Sequence, residues 1–149
     1  MLGQAVVDAA RKYIGIREAT GRNDGAPARL FNRGDEVAWC ASFAMRVCSD
    51  AGLPLPGNYW LNRRVSTLIE SCADAGIAMG WRIIPQPGDL IFFEPDDEGT
   101  SGHVGIVEAV RGHEIHTIEG NTSNMVARRS YPIGDERIQG YARPTPEVV

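Results

Sequence analysis

The hydrophobic period of this chain changes once, near Gly80, and that change limits the folds open to it. Before Gly80, apolar residues recur every three to four positions, the spacing of one helix face. Leu2, Ala5, Val6, Ala9, Ala10, Tyr13 and Ile14 predict a helix over 2–14, stopped by Gly15. Pro27 to Arg33 reads as a short helix with proline in its first turn. Trp39, Phe43, Val47 and Ala51, widened by Ala44 and Cys48, predict a helix from Cys40 that Gly52 and Pro54 end. Residues 53–61 hold two prolines and a glycine and are expected to form a loop displaying Tyr59 and Trp60; helix resumes over 62–75. After Gly80 the period becomes two, the alternation of a strand. Strands are expected over Asp89–Phe93, His103–Val110, Glu114–Glu119, Met125–Tyr131 and Ile138–Arg143, with a loop over 94–102 and turns at Gly112-His113 and 120–124. Short strands joined by short turns pair antiparallel. Helices first and a meander second make an α+β chain, its N-terminal helices packed on one face of an antiparallel sheet. At 149 residues the whole chain, 1–149, is expected to be one domain.

Composition removes several function classes. The net charge of −4 argues against general nucleic-acid binding, which needs a basic surface. No run of about 18 apolar residues exists, so no membrane span is expected. The N-terminus lacks a basic stretch followed by an apolar core, so no secretory signal is expected, and action outside the cell would need another route of release or export. With 3 cysteines at least one is free. Cys40, Cys48 and Cys72 lack the paired spacing of a zinc site, and no metal or cofactor is expected.

Cys40 sits where a Gly-, Asn- and Asp-rich loop gives way to a helix. A cysteine in a helix's first turn faces unpaired N–H groups and the positive end of the helix dipole, which favour thiolate. A nucleophile there needs a base. His103 opens a strand, with Gly105 and Val107 on its face, and the glycine leaves room for another group to approach. His113 falls in a turn and reads as solvated. His116 lies on the strand face opposite Thr117 and Glu119 and reads as structural. The tight hairpin at Gly112-His113 brings the start of one strand beside the end of the next, so His103 is expected near Glu119 and Asn121. A carboxylate or amide there would accept the imidazole Nδ1–H and leave Nε2 to take a thiol proton, if the His103 face of the sheet packs on the start of the Cys40 helix. Trp39, Tyr59 and Trp60 are expected to line a substrate groove.

Four stretches, Ala38-Trp39-Cys40-Ala41-Ser42-Phe43, Pro87-Gly88-Asp89-Leu90-Ile91-Phe92-Phe93, Gly102-His103-Val104-Gly105-Ile106-Val107 and Glu119-Gly120-Asn121-Thr122, occur in this order. Together they resemble the CHAP domain (cysteine, histidine-dependent amidohydrolase/peptidase), of the NlpC-type, papain-like cysteine peptidases. The likeness covers about residues 5–143, and Gly15-Ile16-Arg17-Glu18 and Asn23-Asp24-Gly25 resemble its lead-in. The resemblance implies a papain-like fold and cleavage of an amide bond in peptidoglycan, within the stem peptide or cross-bridge or at N-acetylmuramoyl–L-alanine. It implies Cys40 as nucleophile, His103 as base, Glu119 as acidic orienter and Asn121 as polar residue. Some members hold calcium through closely spaced aspartates; here Asn23, Asp24, Asp35 and Glu36 are irregularly spaced, and calcium is not expected. A monomeric lysin or antibacterial effector is the expected setting, with an immunity or export partner in the latter case. The competing readings are a non-catalytic wall-binding module and an amide or acyl transferase on the same fold.

Overall fold

Residues 2–95 and 102–146 are described by the computed structural model. Helices come first: α1 (Leu2–Arg11), α2 (Ala26–Phe31), α3 (Cys40–Asp50), α4 (Tyr59–Asn62) and α5 (Val65–Asp74). Strands follow: β1 (Ala78–Gly80), β2 (Leu90–Phe93), β3 (His103–Arg111), β4 (Glu114–Thr122), β5 (Met125–Pro132) and β6 (Ile138–Ala142). The α+β order read from the change of period is the observed one.

Several boundaries differ from expectation, each for a local reason. α1 stops at Arg11, because Tyr13 and Ile14 donate to Ala10 and Arg11 in tighter turns. Its buried side is Val6, Val7, Ala9 and Ala10, while Leu2 is exposed. The expected loop over 53–61 ends in one helical turn, α4, because the Asn58 side chain accepts the Leu61 N–H at 3.1 Å and caps it. α5 therefore begins at Val65, after an extended Arg64. β4 runs on to Thr122, so the turn shrinks to Ser123 and Asn124, both with left-handed φ (50° and 62°). Of the loop expected over 94–102, residues 96–101 lie outside the described part.

The sheet order is β1-β6-β2-β3-β4-β5, with every neighbour antiparallel. β2 to β5 form the expected meander. β6 instead returns across the sheet to lie between β2 and β1. Alternation then splits the sheet into two faces. Leu90, Phe92, Val104, Ile106, Ile118 and Val126 meet the helices, with Trp39, Phe43, Val47 and Cys48 of the α3 segment at their centre. Ile91, Phe93, Val107, Ile115 and Tyr141 form a second cluster on the other face. Among the described residues no helix is long and apolar enough to cross a membrane.

Candidate active site

Two buried polar side chains fix the start of α3. Asn32 is fully buried; its amide donates to the Val37 carbonyl at 2.9 Å and the Ala38 carbonyl at 3.4 Å, and its oxygen accepts the Ser42 hydroxyl. That ties the loop over 33–38 to the first turn of the helix. Glu18 accepts the Trp39 indole N–H at 2.8 Å and the Asn23 backbone N–H at 2.9 Å. Trp39, with no exposed surface, stacks on Phe31 at 5.6 Å. It is thus a structural anchor, and the expectation that it contacts substrate is corrected by its burial. No side chain caps α3, and the N–H groups of Cys40, Ala41 and Ser42 find no acceptor among the described residues.

Glycine lets the two layers meet. A methyl group added at Gly120 would sit 2.6 Å from Phe43 Cβ and 3.0 Å from the Trp39 ring, so only glycine lets the start of α3 lie this close to β4. On the opposite face, a methyl group at Gly105 would lie 2.7 Å from Glu119 Cγ. Glu119 crosses over Gly105 to reach the ring two residues earlier on β3, the room that the glycine was expected to leave.

His103 Nε2 lies 2.8 Å from Glu119 Oε1. The hairpin count placed these residues together; the nitrogen is the other one. Because Glu119 approaches across Gly105 it meets Nε2, which leaves Nδ1 uncommitted to Glu119. The face is corrected too. His103 shares its side of β3 with Val107, away from the helices, and Phe93 packs beside its ring at 5.8 Å. As the first residue of β3 it sits at the end of the sheet, where the Cys40 side chain lies close enough to act on its ring. Burial opposes a charged ring, but the neighbouring Cys40 and Glu119 outweigh it and raise the His103 pKa from 6.5 to about 10.

Glu119 is 1% exposed and fully satisfied. Its second oxygen accepts Thr117 Oγ1 at 2.5 Å and the Tyr131 hydroxyl at 2.7 Å. Burial pushes its pKa up, but His103, Thr117 and Tyr131 together hold it below the ordinary carboxylate value. Thr117 and Tyr131 escaped the sequence reading. Thr117 carries a signal, since strand alternation puts it on Glu119's face; Tyr131 comes from another strand and Glu18 and Asn32 from distant loops, with no local pattern to mark them.

Asn121, with a left-handed φ of 56°, makes no side-chain hydrogen bond among the described residues, so the partner of His103 is Glu119 and not Asn121. Tyr59 is half-buried and Trp60 exposed, on the turn of helix before α5. All three cysteines are free and buried, Cys40 with 7% of its surface exposed and Cys48 and Cys72 with none. Burial pushes Cys48 far up and Cys72 to about 11.

The sequence matches the model of the CHAP domain over residues 32–121, more than half of the chain and all of the stretch from Asn32 through Cys40 and His103 to Asn121. The chain belongs to the CHAP family. Its CHAP fold is papain-like, helices before an antiparallel sheet, and is similar to solved structures. "The crystal structure of Ly7917" superposes with a TM-score of 0.63 at 16% identity, covering 97% of this chain and 62% of that one. "The crystal structure of Ly7917 with the hydrolyzing product of MDP" gives the same score and identity over 95% and 62%. "Structure of NlpC1 from Trichomonas vaginalis" gives 0.53 at 13% identity over 95% and 44%. The CHAP chain thus spans about 62% of the length of Ly7917. Among curated protein sequences none matches it.

Proposed function

We propose that this CHAP domain hydrolyses an amide bond of peptidoglycan, with Cys40 as nucleophile, His103 as general base and acid, and Glu119 as the group that orients the ring. What carries this reading is His103 hydrogen-bonded to buried Glu119, with its ring acted on by Cys40 at the uncapped start of α3. A neighbour of the same fold described with a hydrolysis product of MDP supports the choice of cell wall as substrate.

The chemistry follows from the roles. His103 Nδ1 holds the proton that leaves the sulfur, and the charged ring is stabilised by Glu119. The sulfur attacks the scissile carbonyl carbon, and the carbonyl electrons move to oxygen. The uncommitted N–H groups of α3's first turn are the donors available to that oxyanion; losing one such donor typically costs ~10²–10³ in rate. As the C–N bond breaks, His103 gives its proton to the leaving amine. Water then attacks the thioester, His103 takes its proton, and the free carboxylate departs as the sulfur is regenerated.

Digestion of purified peptidoglycan followed by mass spectrometry of the fragments tests the proposal and names the bond. Each cut is expected to yield one new amine and one new carboxylate in the wild-type digest and none with Cys40→Ala. Intact peptidoglycan with both proteins would overturn the proposal. Transfer of the acyl group to an added amine, without hydrolysis, would replace it with an acyltransferase.

A further inference from the structure

Beside this site the chain carries a second set of groups that the mechanism does not use. The Arg33 guanidinium lies 4.1 Å over the Tyr59 ring and 4.8 Å over that of Trp60. Trp60 is 49% exposed, and the Arg63 guanidinium lies 4.9 Å from the same ring. Arg33 and Arg29 have no carboxylate partner among the described residues, whereas Arg46 pairs with Asp50 and Arg63 with Asp35. Arg29, Arg33, Ser42, Arg46, Ser49 and Tyr59 line a cavity of about 320 Å³ between α2, α3 and α4. Three arginines thus line one hollow in a chain whose net charge is −4.

The stack is tied to both halves of the candidate active site. The Tyr59 hydroxyl donates to the Phe31 carbonyl at 2.7 Å, and Phe31 stacks on Trp39, the residue before Cys40. Ser42, on the cavity wall, belongs to the same helical turn as Cys40. On the other side, Val65 at the start of α5 lies 3.5 Å from where a methyl group on Gly102 would stand, next to His103. The corner between α4 and α5 therefore touches the segment before Cys40, through Arg63 on Asp35, and the residue before His103, through Val65.

We propose that Arg33, seated on Tyr59 and Trp60, receives a free carboxylate of the peptidoglycan stem peptide. This rests on the reading of the chain as a peptidoglycan amide hydrolase. A guanidinium stacked on aromatic rings keeps its edge N–H groups for two parallel bonds to a carboxylate, a pairing that an amide cannot reproduce. The exposed part of Trp60 offers apolar contact to the rest of the ligand.

The test uses the Cys40→Ala protein, which holds the ligand uncleaved, and two soluble probes with the γ-carboxyl capped as a methylamide, N-acetylmuramoyl-L-alanyl-D-glutamate γ-methylamide (the acid) and N-acetylmuramoyl-L-alanyl-D-isoglutamine γ-methylamide (the amide), which differ only in a free α-carboxylate against an α-carboxamide. Binding is followed by calorimetry and by the Trp60 indole signal in NMR. The acid is expected to bind about tenfold more tightly than the amide, consistent with a charge-assisted pair at a partly exposed site. In Cys40→Ala with Arg33→Gln that preference should vanish while the amide binds as before. Equal binding of both probes, a preference that survives Arg33→Gln, joint loss of both probes in that variant, or no binding would each overturn the subsite. Should wild type cleave no peptidoglycan while the Arg33-dependent preference persists, the hydrolase reading falls and the carboxylate site stands.

Discussion

Glu119 shows how one buried carboxylate organises its surroundings. Three groups hydrogen-bond it, His103, Thr117 and Tyr131, and they keep it charged inside the protein. That charge helps to hold a proton on His103, whose pKa is raised to about 10. On the proposed mechanism, kcat/KM should therefore hold through neutral pH and fall as pH rises through about 10, because the ring then loses the proton that this mechanism gives to the leaving amine. Glu119→Gln keeps the shape and removes the charge. It should lower kcat/KM by roughly 10²–10⁴ and move the alkaline limb to lower pH, in a profile measured on a soluble muropeptide. An unmoved limb would mean that Glu119 does not govern the ring.

On the scale of elements, the contact between α3 and β4 decides whether sulfur and ring meet. Gly120→Ala puts a methyl group against Phe43 Cβ, so the helix must shift. The expected cost is about 1–3 kcal/mol in a denaturant melt, with activity falling further than stability because Cys40 moves with the helix. Unchanged stability and activity would show that the layers have slack. The features that could be read from sequence are those written in local spacing. α3 shows its apolar stripe, and β3 and β4 show alternation around a tight turn, so His103 and Glu119 could be paired by counting. What was missed depends on tertiary contact. β1, at three residues, is too short for a period and exists because β6 returns beside it. α4 is one turn made by the Asn58 cap. Which imidazole nitrogen meets Glu119, and on which face of the sheet, follows from the passage over Gly105, and alternation within one strand does not reveal it. Trp39, expected at a groove wall, is instead the buried partner of Glu18.

Across the whole molecule, Glu108 links the layers. On β3, it accepts Arg128 of β5 at 2.9 and 3.0 Å and Arg11 of α1 at 2.8 Å. Arg128, above the opposing effect of burial, and Arg11 lower its pKa from 4.5 to about 2. A carboxylate whose folded pKa lies below its unfolded value stabilises the fold above the unfolded value, and that stability is lost as pH falls. Unfolding free energy should therefore drop as pH falls from about 4.5 toward about 2, and Glu108→Gln should flatten that drop in denaturant melts taken across the acid range. An equally steep drop in the variant would place the acid sensitivity elsewhere. The central claim is that this fold assembles one reactive sulfur from a helix start and a strand start. Site-resolved alkylation with iodoacetamide, read by mass spectrometry from about pH 5 to 10, tests it most directly. The account predicts that Cys40 reacts near neutral pH at least about tenfold faster than Cys48 or Cys72, and that His103→Ala removes the advantage. Three cysteines labelled at one rate, and only under alkaline conditions, would contradict it.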